Sequence, residues 1–559
     1  QDLFARVAST YGDDDAHAQR IYDYLSNHWF MAATPVLSNG GADRGLPISC
    51  FLNESSDSLD GIVGLWTENV WLASSGGGIG SYWGNLRSIG EKVGVSGKTS
   101  GVIPFIRVMD SLTLAISQGS LRRGSAAVYL PISHPEIEEF IEIRRPTGGD
   151  PNRKAPNLHH GVLVPDAFMR AVENDEEWAL LSPKDQAPIR KVSARALWIR
   201  LLTARVEVGE PYIVFSDQVN RAIPEHHKLA GLSVKTSNLC SEITLPTGID
   251  HLGQERTAVC CLSSLNLETF NEWKGDPVFI EDVMRFLDNV LQDFIDNAPD
   301  GMERAKYAAM RERSVGLGTM GFHSFLQANN VPFESAMAKA WNLKMFRHIK
   351  TGVDNASRVL GDERGACPDA ADYGMLERFS NKTAIAPTAS ISIICGGASP
   401  GIEPISGNSF THKTLSGSFS VRNRHLKKLL AEKGKDEEET WTSITVNEGS
   451  VQHLDFLTKD EKDVFKTAFE LDQRWVIELA ADRTPYIDQS QSVNIFLSAD
   501  VHKRDLHQIH YQAWKQGMKS LYYCRSKSIQ RAEDVSTQEP AEQTTGGINV
   551  NMPLPGVPS

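Results

Sequence analysis

The stretch Ser237-Asn238-Leu239-Cys240-Ser241-Glu242 sets a thiol between an amide two residues before it and a carboxylate two residues after it. Side chains alternate in an extended chain, so Asn238, Cys240 and Glu242 are expected to project from one side and converge. Taken singly, none of the three carries much. A lone cysteine is usually a small buried hydrophobe, and a lone Asn or Glu is usually a solvated surface group. The rest of the chain has to decide what the triplet does.

That chain has 559 residues, 41% hydrophobic and 23% charged, which predicts a sizeable buried core and no global disorder. The length allows three or four domains, or one large α/β barrel with decorations. Lys and Arg number 57 against 70 Asp and Glu, a net charge of −13. This argues against non-specific nucleic-acid binding and requires anionic ligands to be met locally. No run approaches the roughly 18 apolar residues of a membrane span. Asp13, Asp14 and Asp15 stand where a signal peptide would be apolar, so a cytoplasmic location is expected. The seven cysteines are sparse, odd in number and without a C-x-x-C pair, which argues against a disulfide framework or a zinc site. The chain begins with Gln1, which is compatible with a trimmed N-terminus.

Helical spacing of Ile21, Tyr24, Leu25 and Trp29 predicts a helix over 16–31. Further helices are expected at 59–74, 103–117, 194–207 and 335–359. The clearest is 279–297, with Val283, Phe286, Leu287, Val290, Leu291, Phe294 and Ile295 on one face. Strand character marks Gly161-Val162-Leu163-Val164, Tyr212-Ile213-Val214-Phe215, Ser492-Val493-Asn494-Ile495-Phe496 and Ser520-Leu521-Tyr522-Tyr523. Strands alternating with helices predict an α/β fold with a largely buried sheet. The charged stretch 432–439 within 415–443 reads as a solvated excursion, and the Gln-, Thr-, Pro- and Gly-rich 529–559 as a flexible tail.

Three familiar motifs fail. Gly76-Gly77-Gly78-Ile79-Gly80-Ser81 lacks the third glycine of a dinucleotide loop. Gly97-Lys98-Thr99 ends like a phosphate loop but has Lys92 where its first glycine belongs. Gly397-Ala398-Ser399-Pro400-Gly401 matches a nucleophile elbow, yet Pro400 has no N–H for the oxyanion. A serine hydrolase is thereby rejected.

What remains is an ordered series: Ala33-Thr34-Pro35-Val36-Leu37-Ser38-Asn39-Gly40, Ser49-Cys50-Phe51-Leu52, the 238–242 triplet, Val259-Cys260-Cys261-Leu262-Ser263, Ala386-Pro387-Thr388-Ala389-Ser390 and Leu521-Tyr522-Tyr523. The series resembles the catalytic (large) subunit of ribonucleotide reductases over about residues 28–525. The resemblance implies a ten-stranded α/β barrel at 33–525 with a central finger loop, after a small helical segment at 1–32 and before a tail at 526–559.

It also implies a thiyl-radical reduction of ribonucleoside di- or triphosphates. Cys240 would carry the radical and remove the 3′ hydrogen. Cys50 and Cys260 would reduce the 2′ carbon and close a disulfide, and Cys261 would be a buried bystander. Glu242 would be the base at the 3′ hydroxyl and Asn238 its hydrogen-bonding partner. Thr34, Ser49, Gly78, Thr388, Ala389 and Ser390 would cradle the phosphates through hydroxyls and backbone N–H groups. Tyr522 and Tyr523 would pass the radical in from a small subunit with a dinuclear metal site, as in class I. The alternative is class II, with adenosylcobalamin as the radical source, or a catalytically silent nucleotide-binding homologue. No covalently bound cofactor and no metal site of the chain's own is implied.

A homodimer, magnesium with the nucleotides, and a thioredoxin- or glutaredoxin-type reductant belong to the same expectation. Deoxynucleotide or ATP effectors would bind at Asp57 and Arg87 and a flexible loop at 117–126 containing Arg122 and Arg123. Two departures stand out. No cysteine follows Cys524, where class I chains usually end in a cysteine pair on a mobile tail. The Thr34-Pro35 motif follows only a short helix, so specificity control without dATP shut-off is expected.

Overall fold

Ala258–Asn266 is nine residues long with every side chain buried, and such a run is a strand covered on both faces. The computed structural model describes residues 2–526 apart from 43–44, 119–121, 415–416 and 499–500. The expected tail therefore falls almost wholly outside the described residues. The principal strands are β1 (Phe30–Ala32), β2 (Cys50–Glu54), β3 (Gly78–Tyr82), β4 (Ala126–Pro131), β5 (His159–Val164), β6 (Tyr212–Phe215), β7 (Ala258–Asn266), β8 (Val315–Met320), β9 (Ile495–Leu497), β10 (Ser520–Leu521) and β11 (Cys524–Ser526).

Strands β2, β3, β4, β5 and β6 pair in parallel in that order. At one end β7 joins β2 antiparallel, and at the other β10 joins β6 antiparallel. Beyond β7 the direction is kept: β8 is parallel to β7, Leu317 bridges Thr383, Ile385 bridges Gln491, and β9 runs parallel to β11. With the segments 383–385, 489–497 and 520–526 the ring has ten strands, two five-stranded parallel halves meeting antiparallel. Strand β1 is an extra, antiparallel to the far half of β7.

Helices cover the outside. The expected helix 279–297 is present with those bounds, and its Phe294 ring lies 6.0 Å from Phe51 of β2 while Phe286 lies 5.9 Å from Phe30 of β1. Each such side chain contributes about 2 kcal/mol by leaving water. The helices expected at 59–74, 103–117, 194–207 and 335–359 are found at Leu59–Ser74, Ile103–Ala115, Ala194–Val208 and Ala336–Arg364. No helix among the described residues is long and apolar enough to cross a membrane.

One expectation is corrected. The helix expected over 16–31 spans Asp15–Ser26, and Phe30–Ala32 is strand β1, because those residues are claimed by hydrogen bonds to β7. The charged stretch 432–439 is solvated as expected, exposed at every position but Lys433, and it links helices Arg424–Glu432 and Glu438–Val446, which follow a hairpin of Ser409–Thr414 with Gly417–Arg422. Leu426, Leu430, Trp441, Ile444 and Val451 give this unit its own core, with its charges on the outer faces.

Residues 232–247 have no regular structure and run through the ring against the inner face of β3. The glycine run that failed as a nucleotide loop is what admits them. A Cβ added to Gly80 would lie 1.7 Å from the Ser237 carbonyl oxygen, so only glycine permits this backbone approach. Gly80→Ala is therefore expected to cost roughly 3 kcal/mol, the upper end of overpacking penalties. Urea unfolding should read the loss directly, and a wild-type midpoint would show that the loop does not press on β3.

Candidate active site

The finger loop ends in a turn rather than an extended segment, which corrects the reading from spacing. Ser241 N–H donates to the Asn238 carbonyl at 3.3 Å, and Ser241 sits at φ 64°, left-handed for a side chain with a Cβ. Asn238 drives the reversal, its Oδ1 accepting from the N–H groups of Glu242 (3.1 Å) and Ile243 (3.2 Å). Tyr129 Oη holds the loop from β4 through the Asn238 carbonyl at 2.6 Å. On the other side, Ser492 Oγ donates to the Cys240 carbonyl (2.6 Å), Ser520 Oγ to that of Ser241 (2.8 Å) and Ser490 N–H to that of Glu242 (2.8 Å). Cys240 is left half-buried at the tip, while Asn238 and Glu242 are buried.

Cys50 and Cys260 face each other in register across β2 and β7. Directly opposed antiparallel residues have Cβ atoms about 4.5–5.5 Å apart, a short adjustment from disulfide geometry. Both are reduced. Asn238 Nδ2 donates to Cys50 Sγ at 3.0 Å, which ties the triplet to the pair. Burial, with Cys50 and Cys261 beside it, pushes the Cys260 thiol well above its ordinary range, so it holds its proton at neutral pH. Strand alternation separates its neighbour: Cys261 turns outward to the side of Tyr11, where burial alone raises it.

Burial also raises Glu242, to about 7, against hydrogen bonds from Asn238, its own backbone and Ser492 that favour the charged form. A carboxyl poised there exchanges protons readily at neutral pH. Tyr522 Oη lies 3.5 Å from Cys240 Sγ, and the Tyr522 and Tyr523 rings are 4.2 Å apart. Tyr212 of β6 completes an aromatic cluster, 4.8 Å from Tyr522 and 5.3 Å from Tyr523. Tyr523 Oη is 3.2 Å from His159 Nδ1, which in turn is 2.5 Å from Glu210 Oε1, itself paired with Arg144 at 2.8 Å. Burial holds Tyr522 and Tyr523 far above the usual phenol range. Neither ionises near neutrality, so each can lose its proton only together with an electron.

The remaining expected residues lie as follows. Gly78 is in register with Cys50 and its N–H donates to the Ser49 carbonyl at 2.8 Å. Ser49 Oγ is buried and takes no hydrogen bond among the described residues, an open hydroxyl of the kind a ligand satisfies. Thr388 is left-handed at φ 55° and its Oγ1 accepts from Gly401 N–H at 2.7 Å. Ala389 and Ser390 are exposed beside it, ahead of the short helix Ile391–Ile394, which packs on β1. Thr34 is exposed two residues after β1, which brings it to the same end of the barrel.

Asp57 and Arg87 sit in the segments after β2 and β3 and bind each other, Nε to Oδ2 at 2.7 Å. Arg122 is in the short strand Arg122–Arg123 paired with Ser117–Gln118, and 119–121 of the expected flexible loop fall outside the described residues. Ser399 of the rejected elbow is engaged reciprocally with Ser324, 2.8 and 3.0 Å. Sequence reading missed Tyr129, Tyr212, Ser492 and Gln489, whose Nε2 donates to Cys260 Sγ at 3.8 Å and whose Oε1 accepts from the Thr244 N–H at 3.1 Å. A polar run, Gln489-Ser490-Gln491-Ser492, leading into an apolar strand was the available signal for the last two.

Comparison with known proteins agrees with this architecture. The family model "ribonucleotide reductase, barrel domain" matches residues 48–374 and 369–524, and "ribonucleotide reductase, all-alpha domain" matches 1–45. The ribonucleoside-diphosphate reductase large subunit of Invertebrate iridescent virus 3 is 41% identical, over 96% of this chain and 92% of the relative. That of Caenorhabditis elegans is 32% identical, over 97% of this chain and 75% of the relative. Among solved structures, the class Id ribonucleotide reductase alpha subunit of Actinobacillus ureae superimposes with a TM-score of 0.83 at 35% identity, over 94% of this chain and 93% of that one. Ten strands in two antiparallel halves, a cysteine at the tip of the central loop and a facing cysteine pair on the wall thus have a common explanation: the chain belongs to the large-subunit family of the ribonucleotide reductases.

Proposed function

We propose that this chain reduces ribonucleotides to 2′-deoxyribonucleotides, with Cys240 as the radical residue and Cys50 and Cys260 as the reductant. The observation that carries this reading is the Tyr522 hydroxyl on the Cys240 sulfur, within a barrel whose wall presents Cys50 opposite Cys260. Oxidised Tyr522 takes the hydrogen of Cys240: the S–H bond breaks and the phenol O–H re-forms. The thiyl radical then takes the 3′ hydrogen of the ribose, and Glu242 receives the 3′ hydroxyl proton. The 2′ hydroxyl leaves as water, and the two thiols supply two protons and two electrons while their S–S bond forms. The 3′ hydrogen finally returns from Cys240, which becomes the thiyl radical again, and Glu242 gives its proton back to the 3′ oxygen. An external dithiol of the thioredoxin or glutaredoxin type must then reopen the disulfide.

The Tyr522–Tyr523 ring contact and the alpha-subunit likeness support radical entry from a separate small subunit. Ser49, Gly78, Thr34 and residues 388–390 are the groups we assign to the diphosphate. Asp57, Arg87 and Arg122 we assign to a deoxynucleotide effector bound where two copies of the chain meet. The test is deoxynucleotide formation by the purified chain, once with a radical-generating small subunit and once with adenosylcobalamin. Product in the first arm and none in the second is expected. Product with adenosylcobalamin alone would move the chain to the cobalamin class, and product in neither would leave a nucleotide-binding homologue.

A further inference from the structure

Ser492 lies directly against the finger-loop tip and is buried. Its Oγ is 2.6 Å from the Cys240 carbonyl oxygen and 3.2 Å from Glu242 Oε2. A serine owns one hydrogen, and with Glu242 ionised both neighbours are acceptors, so it serves one at a time. The ionised carboxylate competes strongly for that hydrogen, because hydrogen bonds to charged groups are the stronger ones. Once protonated, Glu242 can itself donate to Ser492 Oγ, which releases the serine hydrogen to the carbonyl.

We propose that Ser492 is a positioning residue that couples the protonation of Glu242 to the backbone of Cys240. When Glu242 takes the proton of the 3′ hydroxyl, Ser492 turns its hydrogen onto the Cys240 carbonyl and fixes the tip. One substrate O–H bond breaks, one O–H bond forms on Glu242, Ser492 keeps its hydrogen, and no electron moves. This rests on the reading of Glu242 as the base.

The tip needs such fixing. Ser241 is left-handed and its hydroxyl is buried without a partner among the described residues, so beyond the Asn238 side chain the turn is held through its carbonyls. Of the contacts from Ser490, Ser492 and Ser520, the one from Ser492 also touches a titrating group.

The surroundings leave the coupling to this hydroxyl. The titratable groups that feel Glu242 are Cys260 from β7 and Tyr129 from β4, and burial holds both above their usual ranges, neutral while Glu242 titrates. The Cys240 thiol stands on the same loop. On the adjoining segments, Lys519 binds the carbonyls of Ile487, Asp488 and Gln489, and Asp488 accepts from the Lys382 N–H.

The test measures kcat and KM against pH for the chain with its small subunit, comparing wild type with Ser492→Ala, Ser492→Thr and Glu242→Gln. Wild-type kcat should rise with pH through a midpoint near 7, since the base must be ionised. Removing the hydroxyl takes away a bond that favours the carboxylate. Ser492→Ala should therefore lower plateau kcat about tenfold and move the midpoint up by about half to one pH unit, with KM unchanged within about twofold. Ser492→Thr should restore both. Ser492→Cys, close in volume but a weak donor, should behave like alanine and serves if alanine fails to fold. An unmoved midpoint, a change confined to KM, or no rescue by threonine would overturn the coupling. Glu242→Gln should lose the acidic limb together with activity; if it keeps both, the base reading fails, which is a different outcome from failure at Ser492.

Discussion

Cys240→Ser is expected to lower deoxynucleotide formation by on the order of 10⁴-fold or more, about 5.5 kcal/mol of barrier at roughly 1.36 kcal/mol per decade. An alcohol O–H bond is stronger than a thiol S–H bond, so a tyrosyl radical does not extract its hydrogen and the chain reaction never starts. The geometry around the tip should survive, because the turn is held by Asn238, Tyr129, Ser490, Ser492 and Ser520 rather than by the thiol. Substrate affinity and the thermal midpoint should therefore stay close to wild type. Multiple turnover by this variant would remove Cys240 from the mechanism.

Tyr522→Phe should produce a loss of similar size in the reaction that depends on the small subunit. The ring, packed 4.2 Å from Tyr523 and 4.8 Å from Tyr212, keeps its place, so little more than one hydrogen bond of about 1 kcal/mol is lost from stability. What goes is the O–H that reaches the Cys240 sulfur, and phenylalanine has no accessible oxidised state to replace it. Wild-type turnover would mean that the radical reaches Cys240 by another route.

The site was legible in the sequence where chemistry is carried by residue type, and poorly legible where it is carried by backbone. The α/β alternation and the bounds of the 279–297 helix follow from periodicity, because that helix buries one continuous stripe. The ring closure did not follow from it. Segments 383–385 and 489–491 join by single bridges and show no strand period of their own. Alternation placed Asn238, Cys240 and Glu242 on one side of an extended chain; in the structure they converge because Asn238 folds the chain back on itself. The glycine run at 76–80 was read against nucleotide loops, and its purpose depends on Ser237, over 150 residues away in sequence. Cys260 and Cys261 are the same residue type and separated by strand alternation, which the run of β7 masks because both of its faces are buried.

The most direct measurement is a single turnover without external reductant, with deoxynucleotide and cysteine state quantified together by peptide mapping. One Cys50–Cys260 disulfide should appear for each deoxynucleotide formed, with Cys240, Cys261, Cys367, Cys395 and Cys524 still thiols. Deoxynucleotide appearing while Cys50 and Cys260 remain reduced, or with the disulfide elsewhere, would contradict the assignment.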